Sequence, residues 1–452
     1  MASRPLVRTG GAAHNQQVTS RRLHPAWLVA AVAFIALIGA AGFRATPSVL
    51  LQPLHDEFGW SLGTISAAVS VNLLLYGLTA PFAAALMEKL GMRRVVAAAL
   101  VLVAAGSGLT VFMGHSWQLI LCWGVLVGLG TGSMALGFVA IVTGRWFVKR
   151  RGLVTGVLTA GGATGQLVFL PLLAQLSGGH GWRVAALVVA AAALAVVPLV
   201  WWRLRDRPAE LNALPYGATE EPPPVTADPG GAARNALRSL RAAARTRPFW
   251  LLAGGFAICG ATTNGLVGTH FIPAAHDHGM PSTTAASLLA LVGLFDIAGT
   301  IASGWLTDRV DSRLLLGAYY GLRGLSLLVL PSLFAATAHP SMVVFILFYG
   351  LDWVATVPPT VALCREYFGE RGAVVFGWVF ASHQLGAAAA ASAAGLVRDR
   401  LGDYDTAWYA AGALALLASL LSLMLLAGRR ATSEGPAGPG IGLAFPAPAA
   451  RS

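Results

Sequence analysis

The sequence is poor in charged residues and almost without lysine. Asp, Glu, Lys and Arg make up 11% of its 452 residues, whereas hydrophobic residues make up 56%. Ordinary soluble domains carry about 25% charged residues, so this composition is typical of a membrane protein. The only two lysines, Lys89 and Lys149, are not followed by Ser or Thr at the end of a glycine-rich loop. A GK[ST] phosphate-binding loop, and nucleotide hydrolysis that depends on one, are therefore excluded.

Cysteine is equally scarce. The three cysteines, Cys122, Cys259 and Cys364, fall in or at the ends of apolar runs. Their number and spacing predict neither a disulfide framework nor a metal site. No set of nucleophile and base, or of metal ligands, stands at a readable spacing. The sequence therefore predicts that the protein is not an enzyme and has no cofactor.

Long apolar runs make up most of the chain. A helix needs about 20 mostly apolar residues to cross the hydrocarbon core of a bilayer. Twelve such runs are present, at 26–50, 64–87, 95–113, 117–143, 153–176, 184–202, 249–271, 283–306, 314–334, 341–363, 373–397 and 406–427. They predict an all-α polytopic membrane protein with twelve transmembrane helices, the first of them a retained helix and not a cleaved signal peptide.

The basic residues lie mainly on one side of the predicted helices. With the N-terminus in the cytoplasm, 26 of the 31 Lys and Arg residues fall in cytoplasmic tails and loops. The other side receives only Arg183, Arg398 and Arg400, while Arg44 and Arg323 lie inside apolar runs. This positive-inside asymmetry predicts a protein of the cytoplasmic (inner) membrane with both termini in the cytoplasm. It also explains the net charge of +12 without a nucleic-acid partner.

A polar segment divides the runs six and six. Residues 203–248 contain the stretch EEPPPVTADPGG and eight arginines, which predicts a largely flexible cytoplasmic linker with a short basic surface helix near 233–245. The predicted organisation is a cytoplasmic tail (1–25), a six-helix bundle (26–202), the linker (203–248), a second six-helix bundle (249–427) and a second cytoplasmic tail (428–452).

The two halves repeat each other at an offset of 220 residues. This shift aligns loops that are more than fifty residues apart; it pairs Leu86 with Leu306, Glu88 with Asp308, Lys89 with Arg309, Arg93 with Arg313, and Arg151 with Arg371. Duplicated bundles with a substrate site between them, near the middle of the membrane, are typical of secondary transporters.

A short loop indicates the family that the sequence resembles. GWLTDRVDSR at 304–313 resembles the major facilitator superfamily signature Gly-x-Leu-x-Asp-Arg-x-Gly-x-Arg, and departs from it at Asp311, where the pattern has Gly. The first-half copy is ALMEKLGMRR at 85–94. The resemblance covers essentially all twelve runs and implies two pseudo-symmetric six-helix bundles. It also implies a conformational latch for the inward-closed state, formed by Glu88, Lys89, Arg93, Asp308, Arg309 and Arg313. Ordinary cytoplasmic turns with mixed charge are the alternative.

Three further stretches resemble the monocarboxylate and oxalate/formate branch of this superfamily: EFGWSLGTISAAVS at 57–70, GWR at 181–183 and FDIAG at 295–299. In the animal monocarboxylate members, an Arg four positions after the eighth-helix Asp takes the substrate carboxylate. Here Thr300 stands four positions after Asp296, so that contact cannot be carried over. The fourth helix has Gly124 where many proton-coupled drug antiporters have an Arg.

Several polar residues inside the runs are candidate substrate ligands. A charge at the bilayer centre costs at least about 2.5–3.5 kcal/mol, so it usually faces a cavity or a partner. The resemblance implies that helices 1, 4, 7 and 10 line a central cavity, and the offset then places Arg44 across from Asn264. A guanidinium offers a planar fork of donors to a carboxylate, so Arg44 is the leading anion ligand, with snorkelling to the headgroups as the alternative. The other candidates, which could equally join helix to helix, are Asn264, Tyr76, Gln166, His383 and Gln384.

Two buried carboxyl groups are candidates for proton coupling. Asp296 interrupts the apolar run of helix 8, and Asp352 lies in helix 10. A low dielectric disfavours the charged form of a carboxyl group, so Asp296 offers a proton site unless a cation lies beside it. Arg323 in helix 9 is such a cation, and a static ion pair with either carboxylate is the alternative.

Together these features predict a secondary active transporter that carries a small organic anion with a proton, by alternating access. Its expected partners are that substrate, protons and the lipid bilayer. An exporter of amphipathic or drug-like molecules in the same fold is the first alternative, with a wide cavity lined by Trp123, Trp353 and Trp378. A non-transporting membrane sensor is the second.

Overall fold

The computed structural model describes residues 24–220 and 231–433. Within these residues the chain is almost entirely helical, and its β-structure is one isolated bridge between Phe147 and Tyr216. Twelve helices are long and apolar enough to cross a membrane, as predicted. They are α1 Pro25–Phe58, α2 Leu62–Leu90, α3 Met92–Phe112, α4 Ser116–Trp146, α5 Arg151–His180, α6 Trp182–Arg203, α7 Arg247–Asp277, α8 Ser282–Thr307, α9 Ser312–Leu333, α10 Pro340–Phe368, α11 Gly372–Leu401 and α12 Asp405–Ser433. Another helix, Gly231–Ala243, lies between α6 and α7 and is called the linker helix below.

Each helix of the second half repeats one of the first half at the predicted spacing. Helices α2 and α8 begin at Leu62 and Ser282, and α3 and α9 begin at Met92 and Ser312, in both cases 220 residues apart. The other four pairs begin within four residues of that spacing. The predicted fold class, two pseudo-symmetric six-helix bundles, is confirmed.

Several helices continue beyond the apolar runs that predicted them. Helix α1 extends to Phe58 and α11 to Leu401, although the corresponding runs end at 50 and 397. Each helix ends where a glycine adopts a left-handed conformation, Gly59 at φ 66° and Gly402 at φ 86°. Hydropathy identifies the segment that lies in the hydrocarbon core of the bilayer. The helix itself continues until it meets a residue, such as glycine, that adopts a non-helical conformation at low energetic cost.

The bundle has two ends, at opposite ends of its long helices. The linker face is the end at which α1 begins, α6 ends and α7 begins, and it carries the linker helix. The far face is the opposite end, where α1 ends and α2 begins. The halves meet along α2 and α11 on one side and along α5 and α8 on the other. These four helices form the seam that encloses the central space between the halves.

Helices α4 and α10 are interrupted at equivalent positions. Helix α4 breaks at Met134–Ala135, and α10 breaks at 353–356, so the two interruptions are again about 220 residues apart. Pro358 and Pro359 follow the second break and lack the N–H groups that would continue the helical ladder. The broken helices leave backbone donors free beside the seam, where buried polar groups must find partners.

Helices α7 and α11 cross so closely that glycine is required at the contact. A Cβ atom at Gly386 would overlap the carbonyl oxygen of Ala257, and one at Gly260 would overlap that of His383. We expect Gly386→Ala to lower the melting temperature of the detergent-solubilised protein by roughly 5 °C, because overpacking costs about 1–3 kcal/mol. Gly377→Ala in the same helix is the control, since a Cβ atom there meets nothing within 4 Å. Equal melting temperatures for the two variants would contradict the crossing.

Candidate functional site

Arg44 projects from the middle of α1 toward the two seam helices of its own half, α2 and α5. Its Nη2 atom donates a hydrogen bond of 2.9 Å to the hydroxyl of Tyr76 in α2, and its Cζ atom lies 5.3 Å from the centre of the same ring. On the other side the guanidinium lies close to Gly162 of α5. The space that a Cβ atom at Gly162 would fill is only 2.9 Å from Arg44 Nη1. Both α2 and α5 belong to the seam, and the Arg44 side chain is nevertheless exposed. A guanidinium between seam helices that is still accessible is a cation available to a solute in the central space.

Aromatic contacts continue from Tyr76 into the second half. The Tyr76 ring lies 6.1 Å from that of Phe380 in α11, which stacks on His383 at 5.9 Å. The His383 ring also packs on Phe256 of α7, at 4.9 Å. The substrate candidates Arg44, Tyr76 and His383 are thus joined by a continuous path that crosses the seam.

The amide candidates are placed around this path. Gln166 follows Gly162 by one helical turn in α5, so it lies on the helix face that Arg44 contacts, and it is half-buried. Gln384 is buried where α11 packs on Gly77 of α2, and its Oε1 atom has no hydrogen-bond partner among the described residues. The Nδ1 atom of His383 is in the same situation. Two buried polar atoms without partners at the seam are groups that a bound solute or water can satisfy.

Asn264 lies in a π-helical segment of α7, Ala261–Val267, and is half-buried. Its carbonyl oxygen accepts a hydrogen bond of 2.8 Å from the Thr269 hydroxyl. The side-chain contact that the structure gives Arg44 is with Tyr76, so the expected placement of Arg44 across from Asn264 remains a prediction. Segments of π-helix often occur at functional sites.

The Asp296 side chain of α8 bonds to the backbone at the break in α10. Its Oδ1 atom accepts two hydrogen bonds of 3.0 Å, one from the Thr300 hydroxyl and one from the backbone N–H of Val354. Val354 lies inside the interruption at 353–356, so its N–H has no helical acceptor to compete with the carboxylate. Thr300 stands where the monocarboxylate members have an arginine. Here it donates a hydrogen bond to Asp296.

Arg323 is paired with Asp352, not with Asp296. Its Nε atom lies 2.5 Å from Asp352 Oδ2, and its Nη2 atom donates to the Asp352 carbonyl oxygen at 2.7 Å. Its Nη1 atom lies 2.9 Å from Cys259 Sγ in α7. The Arg323 side chain is completely buried, as expected for a group that packs three helices together. The second proton-coupling candidate, Asp352, is thus engaged in an ion pair, although its Oδ1 atom is buried without a hydrogen-bond partner among the described residues.

The latch candidates lie on the linker face. The side chain of Glu88 is outside the described residues, and Lys89 and Asp308 are exposed. Arg309 is also exposed; it lies 4.1 Å over the Trp305 ring and donates to the Trp305 carbonyl oxygen.

The remaining two latch candidates have local partners. Arg313 is buried and donates to Glu366 Oε1 at 2.6 Å and to the Asp311 carboxylate at 3.2 Å. The backbone N–H of Arg93 donates to Asp206 Oδ1 at 2.8 Å. The Asp311 carboxylate likewise accepts from the Arg313 N–H, at 2.8 Å.

The departure from the family pattern at Asp311 has a structural reason. Gly91, its first-half equivalent, has φ 89°, and a Cβ atom there would lie 2.6 Å from Asp206 Oδ2. Asp311 has φ −57°, which any residue adopts, and it supplies its own carboxylate to the start of α9. In the first half that carboxylate comes from Asp206 instead.

The far-face half of the seam carries the hydrogen bonds that join α2 to α11 in the described chain. Asp399 accepts from the backbone N–H groups of Leu62 and Gly63, at 2.9 and 2.7 Å, so a carboxylate of one half caps a helix of the other. Two turns deeper, the Ser70 hydroxyl bonds to the Ala388 carbonyl oxygen and the Ser392 hydroxyl. These contacts hold the far face closed.

We expect Asp399→Asn to loosen this closure, because each N–H group bonds to a different carboxylate oxygen and the NH2 group that replaces one oxygen cannot accept. A maleimide should then label a Ser392→Cys reporter roughly three- to tenfold faster, as expected from the loss of about 1 kcal/mol of capping. The native cysteines are buried and give a low background. Asp403→Asn, at an exposed carboxylate of the same face, is the control. An unchanged labelling rate would show that Asp399 does not hold the halves together.

Each of the three tryptophans proposed to line a wide apolar cavity has an aromatic neighbour of its own, and their common lining of a cavity stays a prediction. Trp123 is buried against Phe43, with ring centres 5.6 Å apart. Trp353 packs on Tyr349 at 5.7 Å, and Trp378 packs on Phe82 at 6.2 Å.

Asp399 and Gly162 were absent from the sequence-based candidates, and only Asp399 left a signal. Asp399 is an anion in the last turn of α11, where the helix dipole disfavours it, so an opposing helix N-terminus was to be expected. Gly162 lies in GGATGQ, and its role follows from the size of the side chain opposite, which the sequence does not reveal.

The chain is similar to known transporters along most of its length. The family model described as Major Facilitator Superfamily matches residues 32–375 and 258–447. The chain is 25% identical over 384 residues to an uncharacterised MFS-type transporter, YcxA, of Bacillus subtilis, covering 84% of this chain and 90% of that protein. It is 28% identical over 403 residues to monocarboxylate transporter 13 of Rattus norvegicus, covering 87% of each. It also resembles the crystal structure of a bacterial homolog of the human lysosomal transporter Spinster, with a TM-score of 0.70 at 15% identity, covering 90% of this chain and 97% of that one.

Proposed function

Because this chain belongs to the major facilitator superfamily, we propose that it is a secondary active transporter of a small organic anion, coupled to protons. The observation that carries the proposal is the placement of Arg44, an accessible guanidinium between seam helices α2 and α5. Its bond to Tyr76 uses one Nη2 donor and leaves other donors for a carboxylate. The relatives named monocarboxylate transporters support the same class of cargo.

The anion site we propose differs from that of the animal monocarboxylate transporters. With Thr300 in place of their eighth-helix arginine, the cation comes from α1, on the opposite side of the seam. Gln166 lies on the α5 face beside Arg44, and the unpartnered His383 Nδ1 and Gln384 Oε1 atoms lie across the seam. A carboxylate held by Arg44 would thus have polar groups of both halves within reach, as alternating access requires. Asn264 is retained as a further candidate ligand.

We assign proton coupling to Asp296. Its carboxylate holds the Val354 N–H at the α10 break, and a neutral carboxyl group is a weaker acceptor than a carboxylate. Proton binding at Asp296 would therefore loosen this contact and free α10 to move relative to α8. The nearby charges that set this equilibrium are Arg323 and Asp352, which neutralise each other.

The linker face is assigned to the cytoplasm, in accordance with the distribution of arginines, which places both termini there. The exposed acid and bases of the 304–313 loop and its first-half copy would then pair when the linker face closes and the Asp399 contacts of the far face open. Export of amphipathic molecules is the second candidate, and the burial of Trp123, one of the three tryptophans proposed to line its cavity, disfavours it.

The proposal is tested by uptake into proteoliposomes. A panel of radiolabelled mono- and dicarboxylates is offered with and without an imposed pH gradient, with amphipathic cations as a separate arm. We expect saturable uptake of at least one carboxylate, stimulated by a gradient that is acidic on the side of the substrate. Transport of the amphipathic cations alone would favour the exporter, and transport of neither class would overturn the proposal.

Asp296→Asn should separate transport from proton coupling. An amide oxygen can still accept from Thr300 and Val354, but it binds no proton, so exchange of unlabelled for labelled substrate should persist while stimulation by the pH gradient falls about tenfold. Asp56→Asn, at an exposed carboxylate, is the matched control. Gradient stimulation equal to that of the wild type would remove Asp296 from this role.

A further inference from the structure

The linker helix carries three exposed arginines on one face. Arg234, Arg238 and Arg241 follow each other at intervals of four and three residues, and all three are exposed. Leu237, in their midst, is 52% exposed. The opposite face is buried, at Ala236, Ser239 and Ala243. A basic face with a projecting leucine is typical of a helix that lies at the surface of an anionic membrane.

The position of the linker helix is fixed by both halves of the protein. It packs on α2 of the first half and on α11 of the second. The Trp378 indole of α11 donates a hydrogen bond of 2.9 Å to the Ala236 carbonyl oxygen. Its basic face is thus held as part of the linker face and is presented outward from the bundle.

A cavity of about 230 Å³ lies beside this helix. It is open on one side and is lined by Ala242 and Ser239 of the linker helix, by Tyr367 and Phe368 at the end of α10, and by Arg371 just before α11. An exposed guanidinium, a hydroxyl group and aromatic rings around one space suit a molecule that is part anionic and part apolar.

The adjoining residues place the cavity at the depth of the lipid headgroups. Trp250, at the start of α7, is 62% exposed, and its indole donates to the Ala244 carbonyl oxygen directly after the linker helix. Exposed tryptophans at helix ends are typical of the membrane–water boundary, where the ring meets acyl chains and the N–H group meets water. Trp201 and Trp202, at the end of α6 on the same face, are also exposed.

We propose that the linker helix and the adjoining cavity bind an anionic phospholipid, with its phosphate between Arg371 and Arg238, which precedes the cavity-lining Ala242 by one helical turn, and its acyl chains against Leu237 and Trp250. A lipid fits better than a soluble phosphate compound because apolar surface and basic groups occur together at headgroup depth. Each arginine near an anionic headgroup contributes enough that removal of three should weaken binding at least about tenfold. The site is independent of the cargo and lies outside the central space.

The test is a thermal-unfolding titration of the full chain in non-ionic detergent with three probes: dioctanoyl phosphatidylglycerol, dioctanoyl phosphatidylcholine and sn-glycerol 3-phosphate. We expect a saturable rise in melting temperature with phosphatidylglycerol alone. The variant Arg234→Gln/Arg238→Gln/Arg241→Gln should need at least tenfold more of this lipid. The control Arg94→Gln/Arg203→Gln/Arg207→Gln removes the same charge from the same face and should titrate as the wild type does.

A second variant, Arg371→Gln, keeps the test decisive if the triple variant is unstable. Lipid that co-purifies with it, measured by native mass spectrometry, should fall severalfold in phosphatidylglycerol relative to the control. An equal response to phosphatidylcholine, or an unshifted titration in both test variants, would overturn the site. An equal response to glycerol phosphate would overturn the assignment to lipid.

Discussion

Arg44→Ala is expected to reduce kcat/KM for carboxylate uptake by at least about thirtyfold. Removal of the charged partner leaves the bound anion desolvated and unpaired, and such losses cost about 2–5 kcal/mol in related charge pairs. The Tyr76 hydroxyl and the Gln166 amide cannot replace the charge. The measurement is initial-rate uptake in proteoliposomes over a range of substrate concentrations, with the amount of inserted protein matched.

Two further variants separate the charge of Arg44 from its shape. Arg44→Lys keeps the charge without the planar fork and should fall between the wild type and the alanine variant. Arg94→Ala removes an exposed cation at the start of α3 and should leave uptake unchanged. Unimpaired uptake by Arg44→Ala would show that the anion is held elsewhere, while proton stimulation remains a separate question.

Asp352→Leu should produce the largest loss of stability. It leaves the Arg323 guanidinium completely buried without its carboxylate, and an uncompensated buried charge of this kind costs about 3–5 kcal/mol. The melting temperature in detergent should fall by roughly 10 °C. The measurement is the loss of the monodisperse peak in size-exclusion chromatography after heating.

The double variant Arg323→Met/Asp352→Leu should recover most of that loss, since apolar residues of similar volume replace a buried pair with little cost. Breaking the exposed pair with Arg183→Ala is the control and should cost no more than about 1 kcal/mol, because Arg183 and Glu57 are both well exposed. A double variant as unstable as Asp352→Leu would mean that packing around Cys259, not charge, determines the effect.

The fold was predictable from the sequence because its constraints are local or repeat at one spacing. Twelve apolar runs must become helices, since only a helix satisfies its own backbone in lipid, and the loop charges set their order and direction. The offset that aligned Glu88 with Asp308 also aligned the starts of the helices in the two halves. The ends of α1 and α11 were missed because Gly59 and Gly402, not hydropathy, end them.

The site was less predictable because residue type does not reveal which partner lies opposite. The sequence identified Asp296, Arg323 and Asp352 as buried ionisable groups, but it left open which of them pair. That choice depends on the break in α10, which presents the Val354 N–H to Asp296. It also depends on the packing of α9 against α10, which brings the Arg323 guanidinium beside the Asp352 carboxylate.

The matching interruptions of α4 and α10 have a consequence for how the duplicated halves have specialised. Tyr76 and Asp296 occupy equivalent positions, and each lies against the broken helix of its own half: a Cβ atom at Gly132 of α4 would lie 2.9 Å from the Tyr76 Cα atom, and Asp296 bonds to Val354 of α10. In the mechanism we propose, one copy of this position orients a cation for the cargo and the other holds the acid that exchanges protons. A single ancestral bundle would have had to place both chemistries at one point, where anion and carboxylate repel. Duplication of the bundle would give the cation and the carboxyl group separate positions on either side of the central space.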